Sequence, residues 1–323
     1  MKILTKDLKN NALPVSARIP FLRSYSGVIF SGYFEEDGVV LPFVIRKKFI
    51  FKWIQIDNNP YGCTDKEHMR SFLDNVTLFV KKNLKVSHII TTNLMVCEVV
   101  PSDAIACKWG TYIVDLTYSV DELFANIHSK HKNVIRKALS NNMKVFHGKE
   151  YEKEAITLIA DTYSRQGKRA SFNEGSASRL NLLGEYVDYW IIKDSDGIIH
   201  GSAVFIWSPN QTCFYLHGGS SAKTATGAMN LLIWEAMQAM KERSVHYFDF
   251  VGARVNPQPG SKLEGIQRFK NRFGSTMKVG WMYKVIINKF YYYLYKIALN
   301  VFSLLNGNGI YEDNIEQEIQ RGN

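Results

Sequence analysis

The segment Gly265–Gly274 reads Gly-Ile-Gln-Arg-Phe-Lys-Asn-Arg-Phe-Gly and sets Lys270 between Phe269 and Phe273. Acyl transfer needs an amine nucleophile, a route for its proton, and something to stabilise the oxyanion of the tetrahedral intermediate. A lysine ammonium fixed beside a reacting ester supplies the last of these. The plainer alternative makes Phe269 and Phe273, at i and i+4, core anchors of a short helix, with Lys270 and Arg272 on its solvated face. Tyr215 and His217 alternate along a strand-like run, which predicts that they share one face. His217 is then either a base near neutral pH or a hydrogen-bonded structural residue. Asp249, on the following strand, is either a channel carboxylate or a buried acceptor for a backbone donor. No nucleophile–histidine–acid spacing is present, and a covalent intermediate is not required.

Cations cluster elsewhere. Lys130, Lys137 and Lys144 recur every seven residues, Lys132 and Arg136 stand one turn apart, and His128, His131 and His147 lie nearby. On a helix this is a broad basic face, which either meets phosphates or is simply solvated. Lys168 and Arg169 follow a helix end, where they either cap it or offer a fork to phosphate oxygens. The net charge of +10 over 323 residues fits attraction to nucleic acid, anionic lipid or phosphorylated substrates, or plain solubility. Cys63, Cys97, Cys107 and Cys213 show neither a C-x-x-C pair nor histidines at ligand spacing. They read as buried free thiols in a reducing compartment, with no metal site. No apolar h-region follows the charged N-terminus, so a cytoplasmic location is expected.

These residues need a scaffold. Strands are expected over 26–34 and 39–45, joined by the Asp-Gly of a hairpin, and again over 49–56. A helix follows over 66–82, then strand composition over 87–100 and 112–116. Ser119 with Glu122 starts a helix that runs to residue 140. Further expectations are a strand at 143–147, helices at 150–166 and 174–186, and strands at 187–193, 198–207 and 212–217. A long helix over 228–242 and a strand over 245–251 precede a Gly/Pro-bearing loop. Strands then helix in each half suggest two related lobes of an α+β protein.

Three segments together carry a family resemblance. They are Tyr247-Phe-Asp-Phe-Val-Gly252 with Gly265–Gly274, Asp115-Leu116 with the basic helix Lys130–Ala138, and Phe214-Tyr-Leu-His-Gly-Gly-Ser220 before a long helix. The chain resembles the Fem-type branch of the GNAT superfamily, whose peptidoglycan members add amino acids to a cell-wall precursor. The resemblance covers most of 112–274 and does not specify a substrate. It implies that Lys270 serves the donor's acceptor end and the developing negative charge, and that Phe269 borders that site. It implies acceptor-channel positions for Tyr215 and His217, and a diphosphate contact at Arg169, beside Lys168. Acetyltransferases that use coenzyme A usually carry a Gln/Arg-x-x-Gly-x-Gly/Ala loop before the long helix, to hold a pyrophosphate on backbone N–H groups. Here Ser221–Ala228 keeps only Gly227-Ala228, with Lys223 ahead. That degenerate cradle favours aminoacyl-tRNA over acyl-coenzyme A as co-substrate.

The division expected is an acetyltransferase-like lobe at 1–110, a second at 111–280, and an aromatic segment with an acidic tail at 281–323. Trp281–Leu305 reads as an amphipathic helix, its polar arc formed by Asn288, Lys289, Lys296, Asn300 and Ser303. It either packs on the protein or makes peripheral contact with the inner membrane. The expected activity is transfer of an aminoacyl or acyl group to an amine of an envelope precursor, a peptidoglycan peptide or a nucleotide- or lipid-linked amino sugar. The alternatives are an acyl-coenzyme-A-dependent N-acyltransferase and a non-catalytic RNA- or lipid-binding protein.

Overall fold

A computed structural model describes residues 1–8, 13–167, 172–305 and 309–322. Lys168 and Arg169 lie outside the described residues. The chain divides into two compact units. The first comprises Met1–Thr111, Gly252–Pro257 and Lys278–Asn323, and the second Tyr112–Val251 and Gln258–Met277.

The first unit begins with β1 (Lys2–Leu4), α1 (Ile19–Leu22), β2 (Val28–Glu36), β3 (Val39–Lys48), β4 (Phe51–Ile56), α2 (Lys66–Asn83) and β5 (His88–Thr91). Asp37 and Gly38 join β2 to β3 with φ of 52° and 82°, the positive pair that a two-residue hairpin turn of matching twist requires. β1 to β4 form an antiparallel meander. α2 then crosses over and returns the chain as β5, parallel to β4 with Ile54 opposite Ile89. Met69, Phe72, Leu73, Val76 and Val80 are buried on one face of α2, the period the sequence displays. The strand expected over 87–100 is confined to His88–Thr91; beyond it the chain is irregular apart from a bridge between Cys97 and Trp281.

β6 (Ile105–Asp115) leads into the second unit. There follow α3 (Val120–Asn126), α4 (Ser129–Ser140), β7 (Lys144–His147), α5 (Glu152–Ser164), α6 (Glu174–Leu180), β8 (Val187–Lys193), β9 (Ile199–Trp207), β10 (Thr212–Ser220), α7 (Ala228–Glu242), β11 (Tyr247–Asp249) and α8 (Lys262–Asn271). The single helix expected over 120–140 is two. Ile127 and His128 are extended, and the His128 ring accepts from the Lys130 N–H to start the second helix afresh. Lys144 belongs to β7, so the seven-residue cation repeat does not lie on one helical face. β7 to β10 are antiparallel neighbours in order, α7 crosses over, and β11 lies parallel to β10. β6 completes this sheet antiparallel to β11, with Val114 opposite Phe248. Leu231, Leu232, Met237 and Met240 of α7 are buried with Ala203, Phe205 and Phe248 of the sheet in one core.

The chain ends with β12 (Thr276–Ile286), α9 (Lys289–Leu305) and α10 (Asn314–Gln320). Residues 281–286, expected as helix, are strand because they pair antiparallel with β5, Lys284 opposite Ile90. The acidic tail expected at the end of the chain is folded. It is a helix with an Asp313–Glu316 capping box, and Glu318 is fully buried against Arg254. Each unit is thus an antiparallel meander, a β-α-β crossover with a parallel pair, and one closing antiparallel strand. The strand closing the first unit, β12, follows the second unit's crossover in the chain. The strand closing the second, β6, follows the first unit's crossover.

Candidate functional site

β11 ends at Asp249, and the next three residues bend out of the sheet. Val251 takes φ of 42° and Gly252 of 56°. For a β-branched residue that conformation is a true outlier, costing about 1–3 kcal/mol. It is held by the Asp249 carboxylate, whose Oδ1 accepts the Val251 N–H at 2.8 Å, and by the Phe250 N–H donating to the Tyr112 carbonyl at 2.9 Å. The bend leaves the Val251 carbonyl accepting a hydrogen bond from Lys270 Nζ.

Lys270 comes from the last turn of α8. Ser261 caps this helix by accepting from the Glu264 N–H at 3.2 Å, and the Glu264 carboxylate accepts from the Gly260 N–H. Gly274 follows with φ of 74°, where a Cβ would stand 3.0 Å from Asn126, so glycine is needed on both counts. Phe273 is buried against Phe250 at 5.4 Å and Phe269 at 5.1 Å. His131 of α4 fits beside both rings, with Nε2 3.1 Å from the Phe269 carbonyl, which places its proton on Nε2. The packing reading holds for Phe273 but not for Lys270, which does not lie on a solvated face. Phe273 is a core anchor, whereas half-buried Phe269 and Lys270 stand at the edge of that core.

Burial lowers the Lys270 ammonium from its usual 10.5 to about 8, with Asp249 acting in the opposite direction. At neutral pH the cation persists but is poorly solvated, the state in which it interacts most strongly with a developing anion. Burial likewise lowers His131 and His217 to about 4, so both rings are neutral at pH 7.

The expectation that Tyr215 and His217 share a face is overturned. Tyr215 pairs with Phe205 and His217 with Val204, so Leu216 is the extra residue of a β-bulge. The bulge resets the alternation and turns the two side chains to opposite faces. Tyr215 lies among Phe205 and Phe250, on the Phe250–Phe273 side, and its hydroxyl covers Gly218. His217 stacks on Phe172 at 4.4 Å. Lys270, Asp249, Phe269 and, through Phe250, Tyr215 are brought together; His217 is not.

The basic residues sit on the surface of the same unit. Arg136, Lys130 and Lys137 are exposed on α4, while Lys132 folds back to the Ala125 carbonyl at 2.7 Å. Lys223 is exposed in the loop before α7. Three N–H groups of that loop have partners within the protein. Ser221 N–H donates to the His200 carbonyl, Ala225 N–H to His200 Nδ1, and Ala228 N–H to the Ala225 carbonyl. Gly227 has φ of 84°, and a Cβ there would fall 2.0 Å from the Val134 carbonyl. Its glycine serves the close approach of α7 to α4.

In the first unit a separate cavity of about 400 Å³ is lined by Arg46, Trp53, His88, Tyr292, Tyr295 and Tyr311 among others. Arg46 donates to Gln55 and to Ser26, and lies over the Trp53 ring at 5.3 Å. Among the described residues, no group of three or more His, Cys, Asp or Glu side chains could hold a metal ion. Nor is any helix among them long and apolar enough to cross a membrane.

Val251 and His131 are the contributors whose roles sequence reasoning misses. The sequence sets His131 among surface cations, and nothing local marks a valine for a left-handed conformation except the glycine after it.

No curated protein sequence matches the chain. Solved structures do. FemX superposes with a TM-score of 0.66 at 15% identity, covering 87% of this chain and 94% of its own. The C-terminal domain of a putative lysylphosphatidylglycerol synthetase from Agrobacterium fabrum gives 0.53 at 14% identity, covering 84% of this chain and 89% of its own. L-PGS from Bacillus licheniformis gives 0.53 at 12% identity, with 79% and 84% covered. At such identities these likenesses establish the fold alone, an α+β arrangement of mixed sheet and flanking helices. The FemAB family profile matches residues 112–299, which hold the Val251 bend, α8 and Lys270, and the chain belongs to the FemAB family.

Proposed function

We propose that this chain transfers an aminoacyl group from aminoacyl-tRNA to an amine of a cell-envelope precursor, with the Lys270 ammonium stabilising the oxyanion. The observation that carries this reading is the half-buried Lys270 held at the strained Val251 carbonyl inside the segment matched to the FemAB family. The acceptor amine attacks the ester carbonyl of the charged tRNA. A C–N bond forms, the C–O bond to the terminal ribose breaks, and the ribose oxygen leaves with the proton the amine gives up. Phe269 borders the reacting ester and Tyr215 lines the approach to it. His217, neutral and turned to the other face, has no part in that proton transfer. Asp249 acts by positioning: it fixes the Val251 bend and keeps the lysine charged.

The exposed cations of α4, with Arg136 among them, and Lys223 suit tRNA phosphates, and losing each contact would weaken binding uniformly and lower its salt dependence. Lys168 and Arg169 keep their proposed place as contacts to an acceptor diphosphate. The acceptor is a peptidoglycan peptide or a nucleotide- or lipid-linked amino sugar. The N–H groups of Ser221, Ala225 and Ala228, already bonded within the protein, favour tRNA over acyl-coenzyme A, because a pyrophosphate cradle needs such groups unspent.

The test compares the two donors. Transfer of a labelled amino acid from charged tRNA, sensitive to nuclease and lost in Lys270→Ala, is the expected result. Transfer from acyl-coenzyme A would replace the donor, and tight RNA binding with no transfer from either would overturn the enzymatic reading.

A further inference from the structure

α9 is amphipathic; it buries Tyr292 and Leu299 and leaves a second apolar face outward. Its polar arc faces its own chain: Lys296 Nζ donates to the Tyr311 carbonyl, Asn300 accepts the Tyr311 N–H at 2.9 Å, and Ser303 donates to the Gly309 carbonyl at 2.7 Å. Phe290, Tyr293, Ile297, Val301, Leu304 and Leu305 recur at helical spacing along the opposite face, and all are exposed. Phe290 is 73% exposed and Leu305 81%.

The β3–β4 hairpin tip extends this face. Phe49 and Ile50 are 61% and 66% exposed. The tip is fixed to α9 by the Phe49–Phe302 ring contact at 6.5 Å, by Phe51 against Tyr291 at 5.3 Å, and by Tyr291 donating to the Ile50 carbonyl. Two elements thus present one apolar surface, far more than scattered exposed residues.

The charge on these two segments has one sign. Residues 46–52 and 289–305 contain no Asp or Glu, and Lys47, Lys48, Lys52 and Lys289 stand within them. Among the described residues, none of these four lysines pairs with a carboxylate. Lys48 lies over the Phe302 ring at 4.6 Å, its stem along the apolar patch. A symmetric pairing of two copies through this face would oppose these lysines to one another. An anionic bilayer would satisfy both the apolar face and its basic rim.

We infer that α9 lies in the plane of a membrane, its Phe290–Leu305 face and the Phe49-Ile50 tip inserted among the acyl chains and Lys47, Lys48, Lys52 and Lys289 on anionic headgroups. This inference is independent of the donor and acceptor proposed above. Neither half suffices alone: stable attachment takes apolar burial together with a polybasic patch.

Co-sedimentation of the full chain with phosphatidylcholine vesicles, with and without phosphatidylglycerol, tests it. Binding is expected to the anionic vesicles, to fall with salt, and to drop at least tenfold in Ile297→Glu/Val301→Glu. Lys47→Glu/Lys48→Glu/Lys52→Glu should weaken the phosphatidylglycerol-dependent part by roughly fivefold per lysine. Hydrogen exchange of wild-type α9, slowed by the anionic vesicles, checks the same contact without relying on a variant. No association of the wild type, or equal binding by the Ile297→Glu/Val301→Glu variant, would overturn the inference. So would a concentration-dependent dimer that the same variant abolishes. Transfer to a water-soluble acceptor should be equal in all these variants.

Discussion

At the scale of single residues the proposal turns on Lys270. Its ammonium is lowered by burial from 10.5 to about 8, so it is charged below that value and neutral above it. An oxyanion partner must be charged, and transfer should therefore fall as pH rises through about 8. Lys270→Arg, if it keeps measurable activity, should lose this alkaline limb because a guanidinium stays charged past pH 12. Lys270→Met should lower kcat by about 10²–10³ below pH 8, and the deficit should narrow above it as the wild-type lysine loses its proton. Stability responds with the opposite sign. The unfolded lysine keeps its proton to about 10.4 while the folded one releases it near 8, so the unfolded state binds more protons between those values and folding stability rises with pH. A pH–rate profile falling where a thermal-unfolding profile climbs would assign the limb to Lys270 itself; two falling profiles would assign it to loss of fold. The lysine is legible in the sequence because the motif around it is contiguous. The carbonyl it meets is not, because Val251 reaches it through a bend that Tyr112 maintains from elsewhere in the chain together with Asp249 two residues before it.

At the scale of elements, sequence patterns read true where they are decided locally. The Asp37-Gly38 turn, the α2 stripe and the Ser119–Glu122 cap all involve residues within a few positions of one another. The errors arise where a distant partner decides. Leu216 bulges because of its pairing with β9, which no alternation of Tyr215 and His217 reveals. Residues 281–286 are strand because β5 offers an unpaired edge, and Lys284, in sequence an interruption of an amphipathic helix, is buried among acids about thirty residues on. Gly227 shows the same ambiguity. As a remnant of a phosphate loop it would matter for a ligand, but its φ of 84° and the Val134 carbonyl, 2.0 Å from where a methyl group would stand, make it a packing residue. Gly227→Ala should lower stability by about 2 kcal/mol or more, a few degrees in Tm, from the left-handed conformation and the clash together. Donor affinity per folded molecule should be unchanged. Loss of donor binding at full thermal stability would restore the phosphate-loop reading.

At the scale of the whole molecule, the closing strands bind the two units into one folding problem, since neither can complete its sheet from an uninterrupted stretch of chain. A chain ending before β12 leaves the β5 edge open, an invitation to intermolecular pairing. The residues after α9 add a second dependence. Lys284 on β12 is 2% exposed and donates to Asp313 and Glu316 at 2.7 Å each, while buried Glu318 receives Arg254. Ending the chain at Leu305 removes all three acids and strands a buried ammonium, which should cost about 3–5 kcal/mol in thermal or denaturant unfolding. Lys284→Met in the shortened chain should recover part of that loss, because an apolar side chain needs no partner there. Acid provides the decisive control. Burial alone would raise the Glu316 carboxyl, but hydrogen bonds from Lys284 and Lys296 outweigh it and hold the group at about 2 against its usual 4.5. A carboxylate lowered in the folded state contributes fully above its unfolded value and loses that contribution as pH falls through the folded one. The stability gap between full-length and shortened chains should therefore be constant near neutrality and narrow from about pH 4.5 toward 2. A gap that stays constant over that range would mean that the C-terminal helix stabilises the first unit through apolar burial of Ile315 and not through these charges.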